Sequence, residues 1–243
     1  MLKKPQPSPL TLILETDPKS VAAEAYRSLR TSLQFSNLDQ GSRKLLITSA
    51  TPGEGKTTTV ANLGLAMAQA GGKVCLVDSD LRQPSLHDLF GVSNGIGLTV
   101  ALAEAKSVDQ VVVPTATPNL YLVPSGPLPP NPWELLGSNR MREFVENLAG
   151  RFDTLLFDSA PILSVADTAA LAGLSDGVIL VVKSGGVPRD LVRRAVEQIE
   201  TVKGKMIGVL LSQVDPHRDG YYYRYFYQYY GGYTYGRGTN NSS

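Results

Sequence analysis

The stretch Ala50-Thr51-Pro52-Gly53-Glu54-Gly55-Lys56-Thr57 is the part of this sequence best suited to chemistry. Two glycines two residues apart let successive backbone N–H groups turn toward one point, and a lysine and a hydroxyl follow at once. That is how a chain holds phosphate oxygens: amides and a helix N-terminus as the cradle, Lys56 reaching along the phosphates, and the Thr57 hydroxyl able to ligate Mg²⁺. Pro52, Gly53, Glu54, Gly55, Lys56, Thr57 and Thr58 are therefore the expected nucleotide contacts. A glycine turn with a chance lysine is the bland alternative, and the spacing argues against it. Three carboxylates supplement the loop. Asp78 and Asp80 close the run VCLVDSD, and Asp158 closes FDTLLFD. An aspartate ending an apolar strand is common, so each alone could simply cap a loop. Three of them in a chain with such a loop point to a magnesium–nucleotide site.

The elements that must position these residues are legible as periodicity. Six short apolar runs read as strands: 44–49, 73–78, 119–124, 153–158, 177–182 and 206–211. Helical spacing lies between most of them, at about 56–70, 84–105, 132–149, 165–174 and 188–203. Strands apolar on consecutive positions and alternating with helices predict a doubly wound, mostly parallel α/β sheet covered on both faces. Ligands of such sheets bind beyond the carboxyl ends of the strands, where the loop and the three carboxylates fall. A polar helix over about 19–36 precedes the first strand. Within NPWELL, Asn131, Pro132 and Glu134 read as a capped helix start around Trp133.

Composition excludes several classes. The chain has 243 residues, 42% hydrophobic and 19% charged, with a net charge of +1. That balance suits one globular core and not a polyanion binder. The single cysteine, Cys75, excludes a disulfide framework. No run approaches the roughly 18–20 apolar residues of a membrane span, and MLKKPQPSPL lacks the apolar stretch of a signal peptide, so a cytoplasmic location is expected.

The most unusual composition is local. Residues 221–235 read YYYRYFYQYYGGYTY, and only Tyr26 and Tyr121 lie elsewhere. The nine phenols are Tyr221, Tyr222, Tyr223, Tyr225, Tyr227, Tyr229, Tyr230, Tyr233 and Tyr235. Lacking apolar periodicity and flanked by glycines, 216–243 reads as a disordered tail, and 1–16 as a flexible start; between them, 17–215 reads as one domain. Aromatic tails also self-associate or stack on single-stranded nucleic acid. With Arg218, Arg224 and Arg237 the only nearby basic groups, no nucleic-acid partner is expected.

Together, AEAYRSLRTSLQF, TSATPGEGKTT, VDSDLRQPSLHDLFG, GPLPPNPWELLGS, FDTLLFDSAPILSVAD and the terminal tyrosines resemble the bacterial tyrosine kinases of capsule and exopolysaccharide synthesis. The resemblance runs from about residue 18 to the C-terminus. It implies a P-loop NTPase fold related to the cell-division-site and partition ATPases; those relatives usually carry an extra lysine where this chain has Thr51. Carried over, it makes Lys56 the phosphate ligand, Asp78 the base for the acceptor hydroxyl, and Thr57, Asp80 and Asp158 the magnesium ligands. It implies ATP and Mg²⁺ as cofactors and the nine tail tyrosines as phosphoacceptors in trans. Glu24-x-x-Arg27-x-x-Arg30 corresponds to the family's oligomerisation motif, implying a ring-like homo-oligomer, in the family an octamer. A membrane adaptor of the chain-length-regulator type, recruiting the chain to the inner face of the plasma membrane, and a protein-tyrosine phosphatase complete the implied partners. Ser212 stands where relatives carry asparagine against the adenine edge, which predicts weaker base selectivity. The competing reading is a non-kinase ATPase that localises or partitions a complex through nucleotide-dependent dimerisation.

Overall fold

A computed structural model describes residues 12–35 and 43–215. Its centre is a seven-stranded sheet in the order β3-β4-β2-β5-β1-β6-β7. The strands are β1 (Arg43–Ser49), β2 (Val74–Asp78), β3 (Val113–Pro114), β4 (Leu120–Val123), β5 (Thr154–Asp158), β6 (Gly177–Lys183) and β7 (Met206–Ser212). Every pairing is parallel except β3 with β4. The two-residue β3 was not foreseen, because two residues carry no period.

Alternation along each strand divides the core into two layers. Leu45, Ile47, Val74, Leu76, Ile179 and Val181 face one layer, and Leu46, Cys75, Val77, Val178 and Leu180 face the other. The first layer is covered by α2 (Val21–Gln34) and α3 (Lys56–Gln69). Helix α3 is buried almost all round, and a Cβ on its Gly64 would lie 2.5 Å from Leu76 Cδ2, so glycine lets helix and sheet approach. The second layer is covered chiefly by α5 (Leu98–Leu102), α8 (Asn139–Ala149), α9 (Asp167–Ala172) and α10 (Arg189–Thr201). Short helices α4 (Leu86–Phe90), α6 (Val108–Val111) and α7 (Pro132–Leu136) fill the connections.

Several expectations are corrected. The segment 84–105 is two helices, because Gly91 ends α4 at φ 62° and Gly97 must lie against the strand-4 loop. A Cβ on Gly97 would sit 2.1 Å from the Pro124 carbonyl oxygen. The segment 132–149 divides at Gly137-Ser138, where the Ser138 hydroxyl accepts from the Met141 amide at 3.2 Å. Asn131 does not cap α7; its amide donates to Glu134 at 3.2 Å instead. The flexible start is overturned at its end: α1 (Ile13–Thr16) buries Leu14, and the Ile13 amide donates to Asn62 Oδ1 at 2.7 Å. The tail from 216, with its nine tyrosines, lies outside the described residues.

Candidate active site

Sheet order brings the chemistry together. β2, β5 and β1 are neighbours, so their carboxyl ends place Asp78, Asp158 and the phosphate loop side by side. Asp78 and Asp158 are register partners across β2 and β5. Neighbouring strands stand about 4.8 Å apart, so the two carboxylates are held close by the backbone itself.

The loop has the conformation its glycines predict. Gly53 (φ 77°) and Gly55 (φ 90°) occupy the left-handed region, which costs other residues energy. Gly55 opens α3, and Lys56 begins it. A cleft of about 320 Å³ is lined by Gly53, Lys56 and Thr57 together with Asp80, Arg82 and Ser85, and the Ser85 hydroxyl donates to that of Thr57 at 3.3 Å. Glu54 departs from its expected role. Its carboxylate is buried, accepting from the Thr51 amide and hydroxyl at one oxygen and from the Lys183 amide at 3.2 Å at the other. Its side chain therefore braces the loop against β6, and only its backbone N–H remains to meet a phosphate. Ser212 is also engaged there: its hydroxyl donates to the Glu54 carbonyl at 2.6 Å, and the neighbouring Gln213 amide donates to the Gly53 carbonyl at 2.9 Å. The serine proton is thus committed to the loop and not free for a base.

The capping alternative for the carboxylates is half right. One oxygen of Asp78 accepts from the amides of Ser85 (3.1 Å) and Leu86 (3.0 Å), capping α4. Its other oxygen is buried without a hydrogen-bond partner. Asp80 accepts from the amides of Arg82 (3.2 Å) and Gln83 (3.0 Å). Neither oxygen of Asp158 has a hydrogen bond of ordinary geometry. Burial, and then the Asp158 charge, raise the Asp78 carboxyl well above the usual range, against the pull of the Leu86 amide. Burial likewise pushes Asp158 up to about 7, with Thr57 and Lys56 pulling it back. Buried, unsatisfied carboxylate oxygens facing a phosphate loop fit Mg²⁺: a hard dication and its waters would supply the missing positive charge and donors.

On the far side of the loop a second, more apolar depression of about 590 Å³ lies between Tyr26 of α2, Thr58 of α3 and Leu211 of β7. Burial raises the Tyr26 phenol, as fits a packing residue. His87 Nε2 lies 3.4 Å from Asp88. Among the described residues no group of three or more His, Cys, Asp or Glu is placed to hold a metal ion by itself, so Mg²⁺ here would draw on the Thr57 hydroxyl, phosphate oxygens and water beside the aspartates. Sequence reasoning gave Arg82, Ser85 and Gln213 no part in the site, although Arg82 stands only two residues beyond Asp80.

The α2 motif is less uniform than its spacing suggests. Arg27 pairs with Glu24 at 3.1 Å and donates to the Pro18 carbonyl at 2.8 Å. Each step of three falls about 60° short of a full helical turn, so Arg30 has drifted round to α3, where it donates to Ala66 O at 3.4 Å.

With this geometry in hand, comparison with known proteins is direct. An AAA domain family profile matches residues 42–209. The tyrosine-protein kinase YwqD of Bacillus subtilis is 41% identical over 214 residues, which cover 87% of this chain and 90% of that protein. The chain belongs to the bacterial tyrosine-protein kinases. Among longer members, the tyrosine-protein kinase wzc of Salmonella typhimurium is 35% identical over 89% of this chain, which spans only 31% of that relative. The kinase domain of Escherichia coli tyrosine kinase ETK superposes with a TM-score of 0.82 at 30% identity, covering 90% of this chain and 86% of that one. The septum site-determining protein MinD of Pyrococcus horikoshii, complexed with Mg-ADP, matches with a TM-score of 0.59 at 25% identity over 70% of each chain. The expected relation to the cell-division-site ATPases therefore holds at the level of fold. No helix among the described residues is long and apolar enough to cross a membrane.

Proposed function

We propose that this kinase transfers the γ-phosphoryl group of ATP to the tyrosines of its own C-terminal tail, in trans, and so regulates capsular or exopolysaccharide synthesis and export. The observation that carries the reading is the pairing of a phosphate loop, which has Ala50 in place of the usual first glycine, with a buried aspartate whose second oxygen is unclaimed. The Gly53 and Gly55 amides and Lys56 hold the phosphates, and the base occupies the apolar depression by Tyr26 and Leu211. Mg²⁺, held by Thr57, Asp80 and Asp158, would neutralise phosphate charge. Asp78 accepts the phenolic proton at its free oxygen; the phenol oxygen then forms its bond to phosphorus as the bond to the β-phosphate oxygen breaks, and ADP leaves. Asp78 stays fixed during this step because its other oxygen is tied to α4. Phosphoryl transfer asks little covalent chemistry of a protein, so this positioning is most of the catalysis.

Tail length favours the acceptor role. From Ser212, Tyr221 reaches up to ~30 Å and Tyr235 roughly 80 Å when the chain is extended, enough to enter a neighbour's cleft. A ring through α2, a membrane adaptor that recruits and stimulates the chain at the inner face of the plasma membrane, and a phosphatase that resets the tail complete the cycle. Each phosphotyrosine adds about −1.5 to −2 charges, so a loaded tail would repel its neighbours and the carboxylates, opening the ring.

The test mixes two chains with Mg-ATP: a wild-type sequence ending at Asp215, and a full-length Lys56→Met variant. Phosphotyrosine on the full-length variant, with none when it is incubated alone, is the expected result. A silent tail in the mixture, with ATP still consumed, would instead favour the localisation switch that the MinD-like fold also permits.

A further inference from the structure

The cleft contains a second cation that the phosphate loop does not account for. Arg82 follows the Asp80 turn and lines the same cleft as Lys56. Its Nε donates to Asp167 Oδ2 at 2.7 Å and its Nη2 to Asp167 Oδ1 at 3.3 Å. Asp167 opens α9, and its side chain is 3% exposed, whereas that of Arg82 is 46% exposed. The asymmetry matters. A carboxylate has been buried, at a desolvation cost, to hold in a fixed plane a guanidinium that still faces solvent and the cleft. The paired edge uses Nε and Nη2, so both Nη1 donors are left, with no hydrogen bond among the described residues. The Arg82 amide meanwhile donates to Asp80 Oδ1, which joins this strut to a carboxylate assigned to magnesium.

We propose that Arg82 contacts the γ-phosphoryl group as it transfers, as an arginine supplied from the same chain, and that Asp167 is the positioning residue that aims it. Lys56 then neutralises charge from the phosphate loop and Arg82 from the turn that follows Asp80. A planar fork suits phosphoryl oxygens better than a point charge, which is why arginine and not lysine would be needed. The inference rests on the nucleotide reading of the site and extends it to a residue and a contact of its own.

The experiment compares Arg82→Ala, Arg82→Lys and Asp167→Asn with the wild-type full chain. It measures both tail phosphorylation and γ-phosphate release to water, alongside titration with ADP and with a non-hydrolysable ATP analogue. Arg82→Ala should lower kcat for both reactions roughly 100-fold, the usual scale for losing one preorganised donor to a transition-state oxyanion. Asp167→Asn should lower kcat about tenfold. In both, ADP affinity stays within about twofold, while the preference for the ATP analogue over ADP shrinks. Arg82→Lys should behave nearer to Arg82→Ala than to wild type.

An unchanged kcat in Arg82→Ala, with only a lower melting temperature, would overturn the proposal and leave the pair as a loop staple. Should Arg82→Ala not fold, full kcat in Arg82→Lys does the same. The two layers separate cleanly. If wild type labels its tail and Arg82→Ala labels it equally, this inference alone fails. If wild type never labels tyrosine but Arg82→Ala still loses hydrolysis, the inference holds and the acceptor assignment fails.

Discussion

Asp158 occupies a position that is costly for a carboxylate. It ends a fully buried strand, stands in register with Asp78, and has no hydrogen-bond donor of ordinary geometry. Its carboxyl is raised to about 7 by burial, and that of Asp78 is raised too. An unfolded aspartate titrates near 3.9, so between about pH 4 and 7 the folded state binds more protons than the unfolded one. Stability contributed by these groups is therefore present at low pH and lost as pH rises toward 7. Without nucleotide or Mg²⁺, the melting temperature should fall from pH 5 to pH 8. Asp158→Asn should flatten that slope and stabilise the chain at pH 8 by roughly 1–3 kcal/mol, several degrees in melting temperature. A wild-type profile that is flat, or an asparagine variant less stable at pH 8, would contradict the assignment. The phosphate loop was legible in sequence from its spacing, and the three aspartates only from their place at the ends of apolar strands in a chain that also carries such a loop. The inward turn of Glu54 was not, since only the fold brings the Lys183 amide to it. Nor was the use of Ser212, whose partner lies 158 residues away in sequence.

Elements were legible where burial imposes a period and obscure where it does not. β1, β2, β4, β5 and β6 showed as apolar runs because both faces of the sheet are covered there; β7 at the sheet edge showed as one too, although its Val209 and Leu211 are exposed. The breaks within 84–105 and 132–149 were marked in sequence by Gly91, Gly97 and Gly137-Ser138, but what forces the Gly97 break is the approach of the Pro124 carbonyl, a tertiary contact. Helix α2 shows the same limit: three residues at equal spacing do not share a face, and Arg30 belongs to the contact with α3. This divides the motif into separable duties. The Glu24–Arg27 pair has side chains 49% and 32% exposed, so within one chain it is worth only a few tenths of a kcal/mol. The double variant Glu24→Ala, Arg27→Ala should thus melt within about 2 °C of wild type. Light scattering should nonetheless find it monomeric where wild type is oligomeric. Equal masses for the two would remove α2 from the assembly.

At the scale of the whole molecule, the sheet's carboxyl edge carries the site, and its last strand, β7, leads directly from the loop contacts of Ser212 and Gln213 into the tyrosine tail. The substrate we assign is therefore joined to the machinery within one chain. The most direct measurement maps phosphate by mass spectrometry on the full-length chain after incubation with Mg-ATP, beside Lys56→Met treated identically. The account predicts several phosphates confined to the tyrosines between Tyr221 and Tyr235, and none in the variant. Phosphate placed elsewhere in the wild type, or tail phosphate at wild-type level in Lys56→Met, would contradict it.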